Sequence, residues 1–318
     1  MNTPTATTHC ITVDAAALRA WPLPMPSSDG DKEQRGHVLI LGGSREMPGA
    51  VILAATAALR AGAGKLTIAT GASVAQLVAL ALPEARVIAL AETAEGGFTE
   101  AAVGKLDPLA DKVDAMLIGP GMQDEAATAV LVRALLPRLE ASNTRVVLDA
   151  CAMGVILSGG GKPPADADAD ADDAGAGFRF NVPVIVTPHA GEMAHLTGAS
   201  KEDIAADPDD HAARAARRWN AVVALKGART LVNAPDGARW QHEGGNVGLA
   251  ISGSGDTLAG IVAGLAARGA DLAQATCWGV ALHARAGELL AERFGVLGYL
   301  ARELPGEVPA LMERFARP

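Results

Sequence analysis

Aromatic residues make up only 3% of the 318-residue chain: four Trp, five Phe and one Tyr. An interior with so few rings must be filled by small aliphatic residues, and 49% of the chain is hydrophobic with 36 glycines. Elements built that way approach one another closely, which favours layered α/β packing. Cysteine is scarce too. Cys10, Cys151 and Cys277 lie far apart and form no CxxC pair, so neither a disulfide nor a metal framework is expected. Positive charge is in deficit, with 27 Lys and Arg against 36 Asp and Glu and a net charge of −9. That balance excludes a polyanion-binding surface, so no nucleic acid and no membrane is expected as a partner. An anionic small molecule is still allowed if backbone amides and a few placed cations hold it.

Long apolar runs are missing as well. The longest uncharged stretch, Leu66 to Pro83, contains Thr67, Thr70, Gly71, Ser73 and Gln76. It reads as strand, turn and helix, where a membrane span needs about 20 apolar residues in a row. The start, MNTPTATTHCITVDAAAL, has no basic n-region or apolar h-region, so a cytoplasmic location is expected.

Residues 1–35 form a polar, Pro-rich lead, read as a short helix around Asp14–Arg19 followed by an extended arm. From Gly36 to the end at residue 318 strands and helices alternate, a single unit with a repeating rhythm. HVLILGG is a strand, and PGAVILAATAALRAGAG is a helix with Pro48 in its first turn and Gly62 at its end. KLTIAT, ARVIAL, DAMLIGPG, TRVVLDA, PVIVTPH and AVVALKG read as further strands. Helices are expected at SVAQLVALAL, TEAAVGKLDPLADK, DEAATAVLVRALLPRL and from Glu192, and a hairpin region at TLVNAPDGARWQHEGG. The strands are continuous apolar runs, so both sheet faces are covered. Ligands in such mostly parallel sheets sit beyond the carboxyl ends of the strands. Residues 159–180, GGGKPPADADADADDAGAGFRF, break the rhythm and read as a flexible acidic insertion, since Asp-Ala alternation buries no face. A calcium loop there would lack the Gly turn and Glu spacing of an EF-hand.

Phosphate signatures of the commonest kinds are absent. Gly64-Lys65 is followed by Leu66, which is not a P-loop, and Gly42-Gly43-Ser44 is not the start of GxGxxG. Three Gly-rich strand ends remain: Ser44 to Ala50, Gly119-Pro120-Gly121, and Gly253-Ser254-Gly255-Asp256 before a helix from Thr257. Glycines at a helix start bare N–H groups that favour an anion. A carboxylate at Asp256 beside that anion either caps the helix, with Gly260 and Gly264 allowing close packing, or removes a proton from an attacking hydroxyl. His189, Glu192 and His195 invite a zinc reading, but the two histidines do not share a helix face. Glu192 suits an outer ligand of nucleotide-bound Mg²⁺ better. Lys226 ends a strand, where it caps the sheet or meets an anion, and Asp149 divides in the same way between a turn and a ligand contact.

In order along residues 36–290, GHVLILGGSREMPGAVILAATAALRAGAGKL, MLIGPGM, VVLDACAM, VIVTPHAGEMAHLTG, VVALKGARTLV and GNVGLAISGSGDTLAGIVAGL resemble the ADP-dependent NAD(P)H-hydrate dehydratases of the ribokinase-like superfamily. The resemblance implies a ribokinase-like three-layer αβα sandwich with a mostly parallel central sheet. It implies dehydration of NAD(P)H hydrate, the S epimer, by phosphorylation of the ring hydroxyl at the expense of ADP, followed by loss of phosphate. By the same resemblance Asp256 is the base, and Ala50, Gly121, His189 and Asp256 line the hydrated dinucleotide. Lys226, Gly227, Ala228, Arg229 and Thr230 with Gly253, Ser254 and Gly255 hold the nucleotide, and Glu192 tunes Mg²⁺. A homo-oligomer, a tetramer in the family, is implied. The 35-residue lead is too short for the epimerase domain of some relatives, so a separate epimerase partner is expected. Cys151 replaces an Asp common in the family. A vitamin-precursor kinase on the same fold is the alternative.

Overall fold

The computed structural model describes residues 10–27, 31–159 and 177–316. Most of the acidic insertion, and with it the calcium reading, lies outside them. Ten strands form one sheet: β1 (Ile11–Thr12), β2 (His37–Leu41), β3 (Lys65–Gly71), β4 (Arg86–Leu90), β5 (Ala115–Ile118), β6 (Arg145–Leu148), β7 (Val184–Val186), β8 (Ala221–Leu225), β9 (Arg229–Asn233) and β10 (Arg239–Glu243). Their order is β1-β10-β9-β8-β7-β6-β5-β2-β3-β4. The pairs β8/β9 and β9/β10 are antiparallel and every other neighbouring pair is parallel.

The helices are α1 (Ala15–Ala20), α2 (Pro48–Arg60), α3 (Ala75–Ala81), α4 (Val103–Leu106), α5 (Glu125–Ala141), α6 (Ala190–Thr197), α7 (Lys201–Ala206), α8 (Pro208–Trp219), α9 (Ser254–Ala267), α10 (Leu272–Phe294) and α11 (Leu304–Ala316). Side chains alternate across the apolar strands. Val38 and Ile40 of β2 join Ala54, Ala58, Val262 and Leu282 on the face covered by α2, α9, α10 and α11. Leu39 and Leu41 join Leu131, Leu135, Met193 and Ala216 on the face covered by α5, α6 and α8. Two separate cores, one on each side of the sheet, make the three αβα layers.

Small residues set the spacing of the first helical layer. A Cβ on Gly260 of α9 would fall 2.1 Å from the carbonyl oxygen of Ala54 on α2, and one on Gly264 would fall 2.5 Å from that of Ala58. The two backbones therefore touch, as the Ala- and Gly-rich composition implies. Gly279 of α10 instead makes room for a side chain of α9, since a Cβ there would fall 2.5 Å from Val262 Cγ2.

Two segments depart from the sequence reading. TEAAVGKLDPLADK is not one helix: a 3₁₀ turn at Glu100–Ala102, the single turn α4 and a second 3₁₀ stretch at Asp107–Lys112 take its place. Gly104 and Pro108 account for the break, because one weakens a helix and the other cannot donate within it. In the lead, α1 is capped by the Asp14 carboxylate, which accepts from Ala17 N–H at 2.8 Å. The preceding residues add β1 to the sheet beside β10. Trp21 then stacks on Trp240 with ring centroids 5.7 Å apart, while its carbonyl accepts from Trp278 Nε1 at 2.8 Å. Two residues of strand carry too little periodicity to be read from sequence.

Gly260→Ala is expected to destabilise the fold by about 2–3 kcal/mol, since the added methyl meets backbone that cannot rotate away. Gly104→Ala, with open space around it, is expected to be neutral or stabilising by up to about 1 kcal/mol. Denaturant unfolding of both variants checks the contrast.

Candidate active site

The carboxyl ends of β8, β7, β6, β5 and β2 are adjacent in the sheet, and the three Gly-rich segments gather there. Gly43 N–H donates to the Pro120 carbonyl at 2.7 Å. A Cβ on Gly121, which has φ +68°, would fall 2.5 Å from the Met47 carbonyl and 2.9 Å from the Ala50 Cβ. Ala50 and Gly121 are thus immediate neighbours. Just past the end of β5, the Gly119 position admits no side chain because the Asp149 carbonyl lies where its Cβ would be.

Asp149 is buried at the end of β6 and accepts a 2.6 Å hydrogen bond from the Thr187 hydroxyl. Lys226 Nζ lies 3.4 Å from Asp149 Oδ1 and 3.6 Å from Glu192 Oε2, with only 20% of its side chain exposed. Burial opposes the charged ammonium, yet the two carboxylates outweigh it and raise the Lys226 pKa above its usual value. A cation is therefore held at the sheet end, paired with Asp149 and Glu192.

Pro188 passes its carbonyl to the Lys226 N–H at 2.8 Å, and His189 then caps α6. His189 Nδ1 accepts from the Gly191 and Glu192 N–H groups at 2.9 and 3.2 Å, so the proton of its neutral ring sits on Nε2. Glu192 closes the capping box by accepting from His189 N–H at 2.8 Å. The zinc reading fails here. His195 reaches Glu125 at 3.0 Å, and among the described residues no group of three metal-binding side chains converges.

The fourth side of the site is the start of α9. Gly253 has φ +88° and a Cβ there would lie 2.4 Å from Leu53 Cδ1, so chain conformation and packing both require glycine. Ser254 N–H is taken by the Ile251 carbonyl at 3.2 Å, while Thr257 N–H begins the helical ladder at Gly253. Gly255 and Asp256 therefore present N–H groups with no acceptor inside the helix. A Cβ on Gly255 would stand 3.6 Å from Lys226 Nζ, which places the cation beside those amides. Asp256 is pushed up to about 6, by burial first and by the field of Asp149 second, with Lys226 acting in opposition. Above that pH it is an ionised, poorly solvated carboxylate, which is the state of a base.

Not every expected residue meets the cluster. Within Lys226–Thr230 it is Lys226 whose side chain does so. Gly227 and Ala228 are exposed, Thr230 bonds back to the Gly227 carbonyl, and Arg229 pairs with Asp209 of α8 at 2.9 Å. The Ser254 hydroxyl is turned inward to His283 Nε2 of α10 at 3.0 Å. Cys151 packs against the core beneath α5, where burial pushes its thiol up. Sequence reasoning missed His283. A single His inside WGVALHARAGELL carries no spacing signal.

The strand ends of this mostly parallel sheet face the bare amides of a helix start, with a cation and a poorly solvated carboxylate beside them, and solved ribokinase-like proteins share the fold. The chain belongs to the NAD(P)H-hydrate dehydratase family, whose model matches residues 38–310. It is 49% identical to the ADP-dependent (S)-NAD(P)H-hydrate dehydratase of Xanthomonas campestris pv. campestris, over 96% of this chain and 97% of that protein. It is 39% identical to the bifunctional NAD(P)H-hydrate repair enzyme Nnr of Moorella thermoacetica, over 92% of this chain but 52% of the relative, about half its length. The Bacillus subtilis ADP/ATP-dependent NAD(P)H-hydrate dehydratase co-crystallised with ATP/Mg²⁺ superposes with a TM-score of 0.76 at 29% identity, covering 97% of this chain and 100% of that one.

The raised pKa of Asp256 has a consequence for stability. Its folded value lies above the unfolded one, so the fold holds more protons between about pH 4 and 6 and loses stability as pH rises through that window. Asp256→Asn is therefore expected to be more stable than the parent at pH 8, by on the order of 1–2 kcal/mol, with the gain gone at pH 4. Unfolding at the two pH values measures it.

Proposed function

We propose that the protein restores NAD(P)H from its hydrate, the S epimer, by ADP-dependent dehydration. The observation that carries this reading is the meeting of Lys226, the bare amides of Gly255 and Asp256, and the Asp256 carboxylate at one cluster of strand ends. The ADP phosphates lie on those amides and Lys226, with Gly227 to Thr230 and Gly253 flanking them. The hydrated ring lies toward Ala50, Gly121 and the outward Nε2–H of His189.

Asp256 accepts the proton of the ring hydroxyl while its oxygen bonds to the β-phosphorus, and the phosphorus–oxygen bond to AMP breaks. Phosphate then leaves carbon with the bonding pair, and loss of the neighbouring C–H proton restores the ring double bond. Hydrate and ADP become NAD(P)H, AMP and phosphate. Lys226 offsets the charge that gathers on the transferring group. Glu192 offers only oxygen donors at the rim, which fits Mg²⁺, a cation that keeps its waters and binds through one or two carboxylates plus phosphate. Bound there, the ion supplies charge neutralisation.

We further place the protein in the cytoplasm, where charged nucleotides are retained, and in a homo-oligomer of tetrameric size. Exposed Val247, Phe294, Val296, Leu297 and Leu300 supply apolar surface for subunit contact. A separate epimerase converts the other epimer into the S form, in keeping with relatives of about twice this length named bifunctional.

Purified protein given ADP, Mg²⁺ and hydrated NADH is expected to return the dihydronicotinamide absorbance and release phosphate. A stable phosphorylated product without that absorbance would overturn the reading. Asp256→Asn should keep binding and lose turnover by roughly two orders of magnitude or more, and Lys226→Ala should raise the KM for ADP. In the parent enzyme kcat/KM should rise with pH through about 6, as Asp256 ionises. Asp149→Asn should move that limb to lower pH, because one of the charges raising Asp256 is removed.

A further inference from the structure

His283 lies on α10, behind the layer that carries the nucleotide site. Its imidazole is buried, and its Nε2 meets the Ser254 hydroxyl at 3.0 Å. Burial first, and the positive field of Lys226, push its pKa down to about 4, so near neutral pH the ring is uncharged and serves as a hydrogen-bonding group. Burying a polar ring between Ala- and Leu-rich helices is unfavourable unless its partner is made. Leu would fill the same space without that demand.

The partner is the first residue of α9, whose own N–H is taken by the Ile251 carbonyl at 3.2 Å. Its N-cap is Gly253, which has no side chain to cap the helix. The carbonyl side of the turn is held by Thr257, whose hydroxyl donates to Gly253 O at 3.0 Å. The Ser254–His283 bond holds the other side, and the N–H groups of Gly255 and Asp256 follow directly in sequence. Rotation of Ser254 would swing both amides away from Lys226.

We propose that His283 is a positioning residue for the nucleotide, acting through the Ser254 hydroxyl to hold the Gly255 and Asp256 amides on the phosphate of ADP. The proposal rests on the ADP site described above. Loss of one buried hydrogen bond that orders two ligand-binding amides is expected to weaken ADP about five- to tenfold.

Calorimetric binding of ADP with Mg²⁺ to Ser254→Ala, His283→Leu, the double variant and His283→Gln tests it, with hydrate KM and thermal unfolding measured alongside. Each single change should weaken ADP, the double change should be no worse than either single, and His283→Gln, whose amide can reach Ser254, should recover to within about twofold. The KM for the hydrate should stay near that of the parent. Parent-like ADP affinity in Ser254→Ala, additive losses in the double variant, or equal losses for both substrates together with a lowered melting temperature would each overturn the proposal. If His283→Leu does not fold, Ser254→Ala and His283→Gln decide by the same criteria. A parent protein that binds ADP in this pattern but never restores NADH would defeat the proposed reaction and leave the positioning role standing.

Discussion

Backbone contact between α9 and α2 is the constraint on which the rest depends. Because Gly260 and Gly264 let α9 lie directly on the carbonyls of Ala54 and Ala58, the start of α9 is carried down to the level of the strand ends. A larger residue at either glycine would lift the helix by the thickness of a methyl group, and its amides would no longer meet the cation from β8. The small-residue composition is therefore a positional device as much as a packing one. The same contact places Gly253 under Leu53, so the helix that supports the first Gly-rich segment also shapes the last.

Charge is arranged around one buried cation. Lys226 is satisfied by Asp149 and Glu192, and Asp149 is in turn held by Thr187. Among the described residues Asp256 has no such hydrogen-bonded partner, and burial together with the field of Asp149 raises its pKa. One carboxylate serves the lysine and the other is left basic. Three strand ends, those of β6, β7 and β8, and the starts of α6 and α9 supply these groups, so the pattern needs this part of the sheet to be in register.

Much of this was legible in the sequence. Continuous apolar strands between helices imply a covered parallel sheet, and the Gly-rich strand ends gather at one end of it. Asp256, Lys226, Glu192 and His189 stood out because charged or polar residues at such ends need a reason. The hidden parts are long-range. Nothing local says that Ser254 turns inward, that His283 on the next helix meets it, or that Arg229 pairs with Asp209 while Lys226 faces the site. The break after Thr99 was signalled by Gly104 and Pro108, and helical periodicity over the surrounding residues obscured it.

The added strand β1 has an effect beyond the site. The β9–β10 hairpin would otherwise end the sheet on a five-residue strand of open N–H and C=O groups, a template for another chain. Covering it with a strand of only two residues, anchored by Trp21 against Trp240 and α10, leaves an edge too short to recruit a foreign strand. A chain so rich in apolar strands thereby carries its own protection against sheet-to-sheet aggregation on that side.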